Sequence, residues 1–177
     1  GIPAAFSISM IKYALAGMTG DDRKPSIVLE TLNQVAEENI NDNMFITMFY
    51  GLYHEETHLF EYGSAGHELG LYYQKQEGIF SDLYAKGLPL GVDKNAIYRQ
   101  FDKKIEVGDA VFIMSDGVTE TRTTNGFLER EELTEIIAKQ IDLPAEKMVR
   151  SIYDQLVKIQ NFELHDDFTL ICIKRTK

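Results

Sequence analysis

The chain changes character at residues 44–53, which read MFITMFYGLY. Aromatic and apolar side chains crowd this segment and no proline interrupts it, which is typical of a largely buried β-strand. Before it, apolar residues recur at helical spacing over 2–16 and 25–40, and in the first of these helices Phe6, Met10 and Tyr13 fall on the predicted apolar face. The change of period separates a helical N-terminal part from a β-rich remainder.

Downstream of this strand, more strands and then two helices follow. Five segments have a strand-like composition bounded by polar turns; they are 58–63, 69–73, 78–83, 98–105 and 110–114. Amphipathic patterns at about 129–140 and 144–160 predict two helices, and a final strand is predicted at 168–173. Such segregation indicates an α+β fold, with helices packed on antiparallel sheet.

Composition restricts the class of protein. The 177 residues are 44% hydrophobic and 26% charged, which suits one globular domain over 1–177, made of a helix pair (1–40) and a sheet with C-terminal helices (44–177). There is no apolar run of about 18 residues and therefore no predicted membrane span. A single cysteine, Cys172, predicts a reducing compartment, by default the cytoplasm. The net charge of −10 argues against nucleic acid, although a bound metal would still allow phosphate chemistry.

The sequence Ser115-Asp116-Gly117 places a carboxylate directly after the apolar strand 110–114. The strand would present Asp116 at the edge of the sheet, where Gly117 frees the backbone to turn or to approach a ligand. An ordinary hairpin turn is the competing interpretation, because Asp-Gly is a common hairpin dipeptide. Spacing by itself favours the hairpin.

A second acidic cluster, His165-Asp166-Asp167, comes just before the last strand. Adjacent carboxylates repel each other, and a divalent cation would relieve that repulsion. Two solvated aspartates in a turn explain the pattern at least as well. Taken together, the two acidic clusters supply hard oxygen ligands suited to Mg²⁺ or Mn²⁺.

The remaining polar candidates have simpler structural interpretations. His67 lies in a glycine-flanked turn and is interpreted as a hydrogen-bonded turn residue. His54 and His58 are read as exposed polar residues, without a third nitrogen or sulfur ligand for zinc. Cys172 has apolar neighbours that do not favour a reactive thiolate. Asp109, after Gly108, most simply belongs to a hairpin turn.

Five short motifs, in order along the chain, resemble those of the PPM (PP2C-like) serine/threonine phosphatases, in the bacterial RsbU/SpoIIE branch. They are Gly-Ile-Pro-Ala-Ala at 1–5, Ser-Ala-Gly-His-Glu at 64–68, Gly-Leu-Pro-Leu-Gly-Val at 87–92, Gly-Asp at 108–109 with Ser-Asp-Gly-Val-Thr-Glu at 115–120, and Asp-Asp-Phe-Thr-Leu at 166–170. Five ordered matches weigh against an unrelated α+β domain. Residues 44–50 and 125–130 look closest to the stress-response members of this branch.

The resemblance implies both a fold and a metal site. The fold would be an α-β-β-α sandwich of antiparallel sheets flanked by helices, with the family's first strands upstream of Gly1. Asp116 and Asp166 would bind the metal. Asp167 and Gly117 would not bind it themselves but would hydrogen-bond to the groups that do. The family holds two Mn²⁺ or Mg²⁺ ions, which make a hydroxide-like nucleophile from water without a covalent phospho-enzyme.

The resemblance also implies a substrate and a mode of control. The substrate would be the phosphoserine of a STAS-type anti-sigma-factor antagonist in partner-switching stress or sporulation signalling, with no nucleic acid or membrane involved. An activator protein or an N-terminal regulatory domain would act through the helices of 1–40. Because the family's other metal carboxylates would precede Gly1, we expect residues 1–177 by themselves to hydrolyse phosphoserine peptides negligibly in millimolar Mn²⁺. The alternative is a catalytically inactive PP2C-like binding or regulatory module.

Overall fold

The computed structural model describes residues 2–40, 44–124, 126–160 and 167–177. Its helices are α1 (Ile2–Ala16), α2 (Pro25–Asn39), α3 (Asp116–Thr119), α4 (Arg130–Ala138) and α5 (Ala145–Ile159), with a short 3-10 helix at Gly20–Arg23. Its strands are β1 (Met48–His54), β2 (Leu59–Ala65), β3 (Gly70–Gln74), β4 (Ile79–Leu83), β5 (Phe101–Lys104), β6 (Ala110–Met114), β7 (Arg122–Thr123), β8 (Gly126–Phe127) and β9 (Leu170–Lys174).

One compact unit is formed by Gly1–His67 and Ala85–Ile105. Its antiparallel sheet has the strand order β1-β2-β5, and α2 packs against β1 and β2. Close packing is possible because residue 63 is a glycine: a Cβ there would lie 3.0 Å from the Leu29 Cδ1 atom. The buried core of this unit joins both long helices to the sheet and to the segment before β5; its members include Ile11, Val28, Leu29, Leu32, Ala36, Leu90 and Tyr98.

The second compact unit is formed by Glu68–Tyr84 and Glu106–Lys177. Its antiparallel sheet has the order β4-β3-β6-β9, and α5 packs on β9 while α4 packs on α5. Alternate residues of β6 share one buried core with residues of α5 at helical spacing. The buried members of this core include Leu71, Phe112, Met114, Leu133, Met148, Ile152 and Leu156.

Helix α1 does not bury the face predicted for it. Phe6 and Tyr13 are 63% and 77% exposed, whereas Ser7 and Ile11 are buried. The helix is apolar nearly all the way round, so its periodicity could not select the face that contacts α2. The prediction of a helix was right and the prediction of its buried face was wrong.

Several boundaries also differ from the prediction. Strand β1 begins at Met48 rather than at residue 44, because Ile46 pairs with Leu90 instead, at N···O distances of 3.1 and 2.8 Å. Strand β5 covers a short part of the predicted 98–105 segment. The hairpin β7–β8 was not predicted, since two-residue strands carry no periodic signal. None of the helices in the described ranges has the length and apolar character needed to cross a bilayer.

Candidate functional site

Asp116 lies where β6 ends. It is the first residue of α3, its side chain is exposed, and its Oδ1 atom accepts a hydrogen bond from the Gly117 N–H at 2.9 Å. The Glu120 N–H donates to the Asp116 carbonyl at 2.7 Å, which closes a helical turn. The hairpin interpretation of Asp116-Gly117 is therefore wrong. The buried strand instead delivers a carboxylate to the edge of the sheet and the chain turns into a helix.

The start of β9 is fastened to the end of β6 by one serine. The strands pair antiparallel, with Met114 opposite Leu170. Just beyond that pair, the Ser115 hydroxyl donates to the Asp167 carbonyl at 2.9 Å and accepts from the Thr169 N–H at 3.0 Å. The Ser115 N–H also donates to the Thr169 carbonyl at 3.0 Å. This network brings the backbone of Asp167 beside the residue that precedes Asp116.

The two acidic segments thus meet at one end of the β6–β9 pair. Asp116 and Asp167 both have exposed side chains there. Asp166 lies outside the described residues, so its role as a metal ligand stays a prediction. Within the described ranges, no three His, Cys, Asp or Glu side chains gather closely enough to enclose a metal ion. The donor chemistry nevertheless fits Mg²⁺ or Mn²⁺, because such ions keep several waters and need one or two protein carboxylates.

Asp109 is a buried carboxylate that the sequence did not reveal. It is 4% exposed and accepts hydrogen bonds from the Tyr72 hydroxyl, from the Lys75 N–H at 2.8 Å and from the Glu106 N–H at 2.9 Å. Burial, followed by the hydrogen bond to Asp109, raises the pKa of Tyr72 above its ordinary value. Asp109 therefore joins β3 to the turn before β6, which is more than a hairpin turn residue does. A Gly-Asp dipeptide gives no local sign of that burial.

The histidines of the first unit have partners that suit structural roles. His54 Nε2 lies 2.7 Å from Glu61 Oε2, and Gln100 Nε2 donates to the other oxygen of Glu61 at 2.7 Å. His58 Nδ1 lies 3.1 Å from the Tyr53 hydroxyl. The backbone of His67 bonds with the Ser64 hydroxyl, as expected of a turn residue.

Cys172 lies within β9, opposite Phe112. Burial raises the pKa of its thiol to about 11, so the reactive thiolate is disfavoured at neutral pH. A groove of about 470 Å³ runs between α5 and β9 beside this cysteine, and its lining includes Val149, Tyr153 and Phe168. The groove is mainly apolar and contains neither Asp116 nor Asp167, so it is separate in chemistry from the acidic edge.

Comparison with known proteins identifies the family. Residues 1–176 match the family described as stage II sporulation protein E (SpoIIE). The chain is 51% identical over 175 residues to the phosphoserine phosphatase RsbU of Bacillus subtilis (strain 168). The aligned region covers 99% of this chain and 52% of that protein. The chain therefore spans about half the length of this relative.

Two solved structures have a similar fold. The structure of the RsbU and RsbW domains of Rv1364c from Mycobacterium tuberculosis has a TM-score of 0.77 at 22% identity, over 99% of this chain and 48% of that one. RsbX in complex with magnesium has a TM-score of 0.67 at 19% identity, over 97% of this chain and 74% of that one. The PP2C-like fold class predicted from the sequence is thereby confirmed. The ordered motifs, the fold and the family match agree, and the chain belongs to the SpoIIE family.

Proposed function

We propose that the chain forms part of a metal-dependent phosphoserine phosphatase, in which Asp116 and Asp166 bind the metal and Asp167 hydrogen-bonds around them. The observation that carries the proposal is the exposed carboxylate of Asp116 at the end of β6, beside the start of β9. The 51% identity to a protein named phosphoserine phosphatase supports the reaction. The magnesium complex of RsbX, which has the same fold, supports a divalent cofactor.

Neighbouring residues of the chain would hold the metal-binding carboxylates in place for the reaction. The Gly117 N–H holds one oxygen of Asp116, which orients the carboxylate and leaves its other oxygen directed away from that bond. Ser115 keeps the segment after Asp166 against β6. When bound, Mn²⁺ or Mg²⁺ would supply a hydroxide-like nucleophile and neutralise the phosphoryl oxygens. No nucleophilic side chain is required from the protein.

The proposed substrate is the phosphoserine of a STAS-type anti-sigma-factor antagonist, in a cytoplasmic partner-switching system. Its support is the identity to RsbU and the presence of RsbU and RsbW domains together in Rv1364c. With a net charge of −10, the protein would rely on the metal rather than on a basic surface to attract the phosphate. Dephosphorylation of the antagonist would free it to bind the anti-sigma kinase.

Control is proposed to act through the helices of 1–40, by way of an activator protein or an N-terminal regulatory domain. Helix α1 leaves Phe6, Ile8 and Tyr13 largely exposed while its opposite side packs on α2. Phe6 and Tyr13 are seven residues apart and therefore fall on the same side of the helix, and exposed aromatic side chains placed in this way favour a protein partner. Changing Phe6 and Tyr13 to serine should lower activator-dependent turnover at least severalfold without changing Mn²⁺ affinity. Undiminished activation in that variant would remove the helix from the proposal.

The metal site is tested by Mn²⁺ calorimetry on the full-length gene product. We expect Asp116→Asn and Asp166→Asn each to weaken Mn²⁺ binding by about tenfold or more, because each removes an anionic oxygen ligand. Asp142→Asn is the matched control, since Asp142 is an exposed aspartate paired with Lys75. Unchanged binding in both site variants would refute the assignment.

Hydrolysis is then measured on a phosphoserine-bearing STAS protein with the same variants. We expect turnover to require Mn²⁺ or Mg²⁺ and to fall at least a hundredfold in Asp116→Asn, the size of effect that follows loss of electrostatic stabilisation in a phosphoryl-transfer site. A wild-type protein that binds the phosphoprotein but does not hydrolyse it with either metal would instead support the non-catalytic binding module.

A further inference from the structure

The loop before β5 is attached to its surroundings at three points. Leu90 exchanges two backbone hydrogen bonds with Ile46, ahead of β1. Pro89 fills the space beside Gly66, where an added Cβ would come within 2.6 Å of the proline ring. Gly91, at φ +84°, lies against Ala36 of α2, with 3.5 Å between the Ala36 methyl and the position of an added Cβ. The loop therefore touches both α2 and the turn that follows β2.

Helix α2 adds a directional bond to this loop through one buried side chain. Asn33 is 1% exposed, its Nδ2 atom donates to the Asp93 carbonyl at 2.8 Å, and its Oδ1 atom accepts from the Gly91 N–H at 2.9 Å. One amide thus acts as donor and acceptor to backbone groups two residues apart. Among common side chains of this size, an acid lacks the donor and a hydrocarbon lacks both groups.

We propose that Asn33 is a positioning residue that makes α2 and the loop 89–93 move together, so that a displacement of α2 reaches the turn Ser64–His67. This inference rests on the proposed control through residues 1–40 and adds the route of transmission. The last step is steric: at φ +68°, Gly66 lies against Pro89 with no room for a side chain, so a shift of the loop towards β2 would displace the turn.

The two side-chain hydrogen bonds of Asn33 differ in kind from the contact that Ala36 of α2 makes with the loop. The Ala36 contact is apolar and non-directional, so it tolerates sliding of the helix along the loop. A buried hydrogen bond does not, because sliding would leave the Gly91 N–H unsatisfied and would remove the Asn33 donor from the Asp93 carbonyl, which also accepts from the Ala96 N–H. Asn39, on the same helix, donates to the Val35 carbonyl within α2 and provides an internal comparison.

The first test replaces the amide and follows hydrogen exchange in the full-length gene product. In Asn33→Leu we expect protection of the Gly91 amide to fall by about tenfold, equivalent to one net hydrogen bond. In Asn33→Asp we expect a smaller loss at pH 8, because the carboxylate still accepts from the Gly91 N–H but repels the Asp93 carbonyl and so displaces the loop, and we expect recovery towards wild type at pH 5. The recovery follows because burial favours the protonated acid, whose O–H replaces the lost donor. Asn39→Asp should leave Gly91 unchanged at both pH values.

The second test measures coupling directly. Gln34 is an exposed residue of α2, so Gln34→Gly destabilises the helix without removing a buried contact. The change should raise the equilibrium constant for local opening of α2 by about fivefold. In the wild-type background this change should speed exchange at Gly91 and in the turn Ser64–His67 by at least about threefold. In the Asn33→Leu background it should have no further effect on either segment, because the link is already broken.

The proposal is overturned if Asn33→Leu leaves Gly91 protected, if Asn33→Asp shows no recovery at low pH, or if Gln34→Gly acts equally in both backgrounds. If Asn33→Leu does not fold, the pH response of Asn33→Asp decides the matter. None of these readouts depends on catalysis. A failure here leaves the proposed phosphatase standing, and loss of the metal-site proposal would leave the exchange results unaffected.

Discussion

Asp109 and Tyr98 both have buried polar atoms, but they differ in how far those atoms are hydrogen-bonded. Asp109 accepts three hydrogen bonds, two of them from backbone N–H groups. The Tyr98 hydroxyl is buried with no hydrogen-bond partner among the described residues, and burial raises the pKa of Tyr98 to about 12. Since an unpaired buried polar group costs free energy and a paired one does not, substitutions at the two positions should have opposite effects.

Asp109→Asn should lower the free energy of unfolding by about 2–4 kcal/mol. The new amide nitrogen would face a donor, which leaves at least one buried N–H or O–H unsatisfied. Urea unfolding followed by circular dichroism measures the change. Asp142→Asn, at an exposed ion pair, should leave stability nearly unchanged. Equal stabilities of the two variants would show that the Asp109 network is not a stabilising element.

Tyr98→Phe should leave the free energy of unfolding unchanged or raise it by up to about 1 kcal/mol, because it removes a hydroxyl that has no hydrogen-bond partner in the described part of the chain. Tyr72→Phe is the matched comparison and should be destabilising by about 1–2 kcal/mol, because it removes a donor to Asp109. Thermal unfolding of both variants under identical conditions measures the difference. A clear loss of stability in Tyr98→Phe would reveal a partner for that hydroxyl.

At the scale of elements, the sheet β1-β2-β5 is organised by a row of aromatic rings on one face. The ring centroids of Phe49 and Tyr62 are 5.8 Å apart, those of Phe60 and Tyr62 are 5.7 Å apart, and Phe101 continues the row at 5.9 Å from Tyr62. Gly51 makes room for this row, because a Cβ at residue 51 would lie 2.5 Å from the Phe60 ring. A glycine in the middle of a strand is thus explained by its cross-strand neighbour.

Gly51→Ala should lower the free energy of unfolding by about 1–3 kcal/mol, the usual cost of overpacking, since Phe60 is buried and cannot swing away freely. Gly17→Ala is the control: there an added methyl would make only an ordinary contact, 3.5 Å from the Ala14 carbonyl oxygen. Denaturant midpoints of the two variants give the comparison. If Gly51→Ala proved as stable as the control, the aromatic row would have to be loosely packed.

At the scale of the whole molecule, the raised pKa values predict weaker stability in alkali. The pKa of Cys172 is raised from 9.0 to about 11 and that of Tyr98 from 10.0 to about 12, both chiefly by burial. As pH rises above 9, the unfolded chain releases these protons before the native chain does. The native state then holds more protons than the unfolded state, so stability falls with increasing pH.

The measurement is the urea midpoint of unfolding between pH 8 and pH 11. We expect it to decline steadily, and the double variant Cys172→Ala/Tyr98→Phe to decline less, because two of the contributing groups are gone. A wild-type midpoint that held constant or rose over this range would contradict the sign of the prediction. A double variant with the wild-type slope would assign the decline to other groups, such as Tyr72, whose pKa is also raised.

The sequence by itself determined the order and type of the long elements. Helix α5 was predicted at 144–160 and is observed at Ala145–Ile159, and the last strand was predicted at 168–173 and is observed at Leu170–Lys174. It also determined the acidic motifs at the ends of β6 and before β9. These features are local: side-chain periodicity, turn residues and short motifs depend on neighbours within a few positions of the chain.

Tertiary structure decided which polar groups are buried and which helix face is covered. Asn33 bonds to a loop 60 residues away and Asp109 to a tyrosine 37 residues away, and neither position has a local pattern that announces its partner. The buried face of α1 and the helical turn at Asp116 were likewise settled by packing. The physical reason is that a hydrogen bond or an apolar contact stabilises only when the fold brings both partners together, and propensity cannot encode a distant partner.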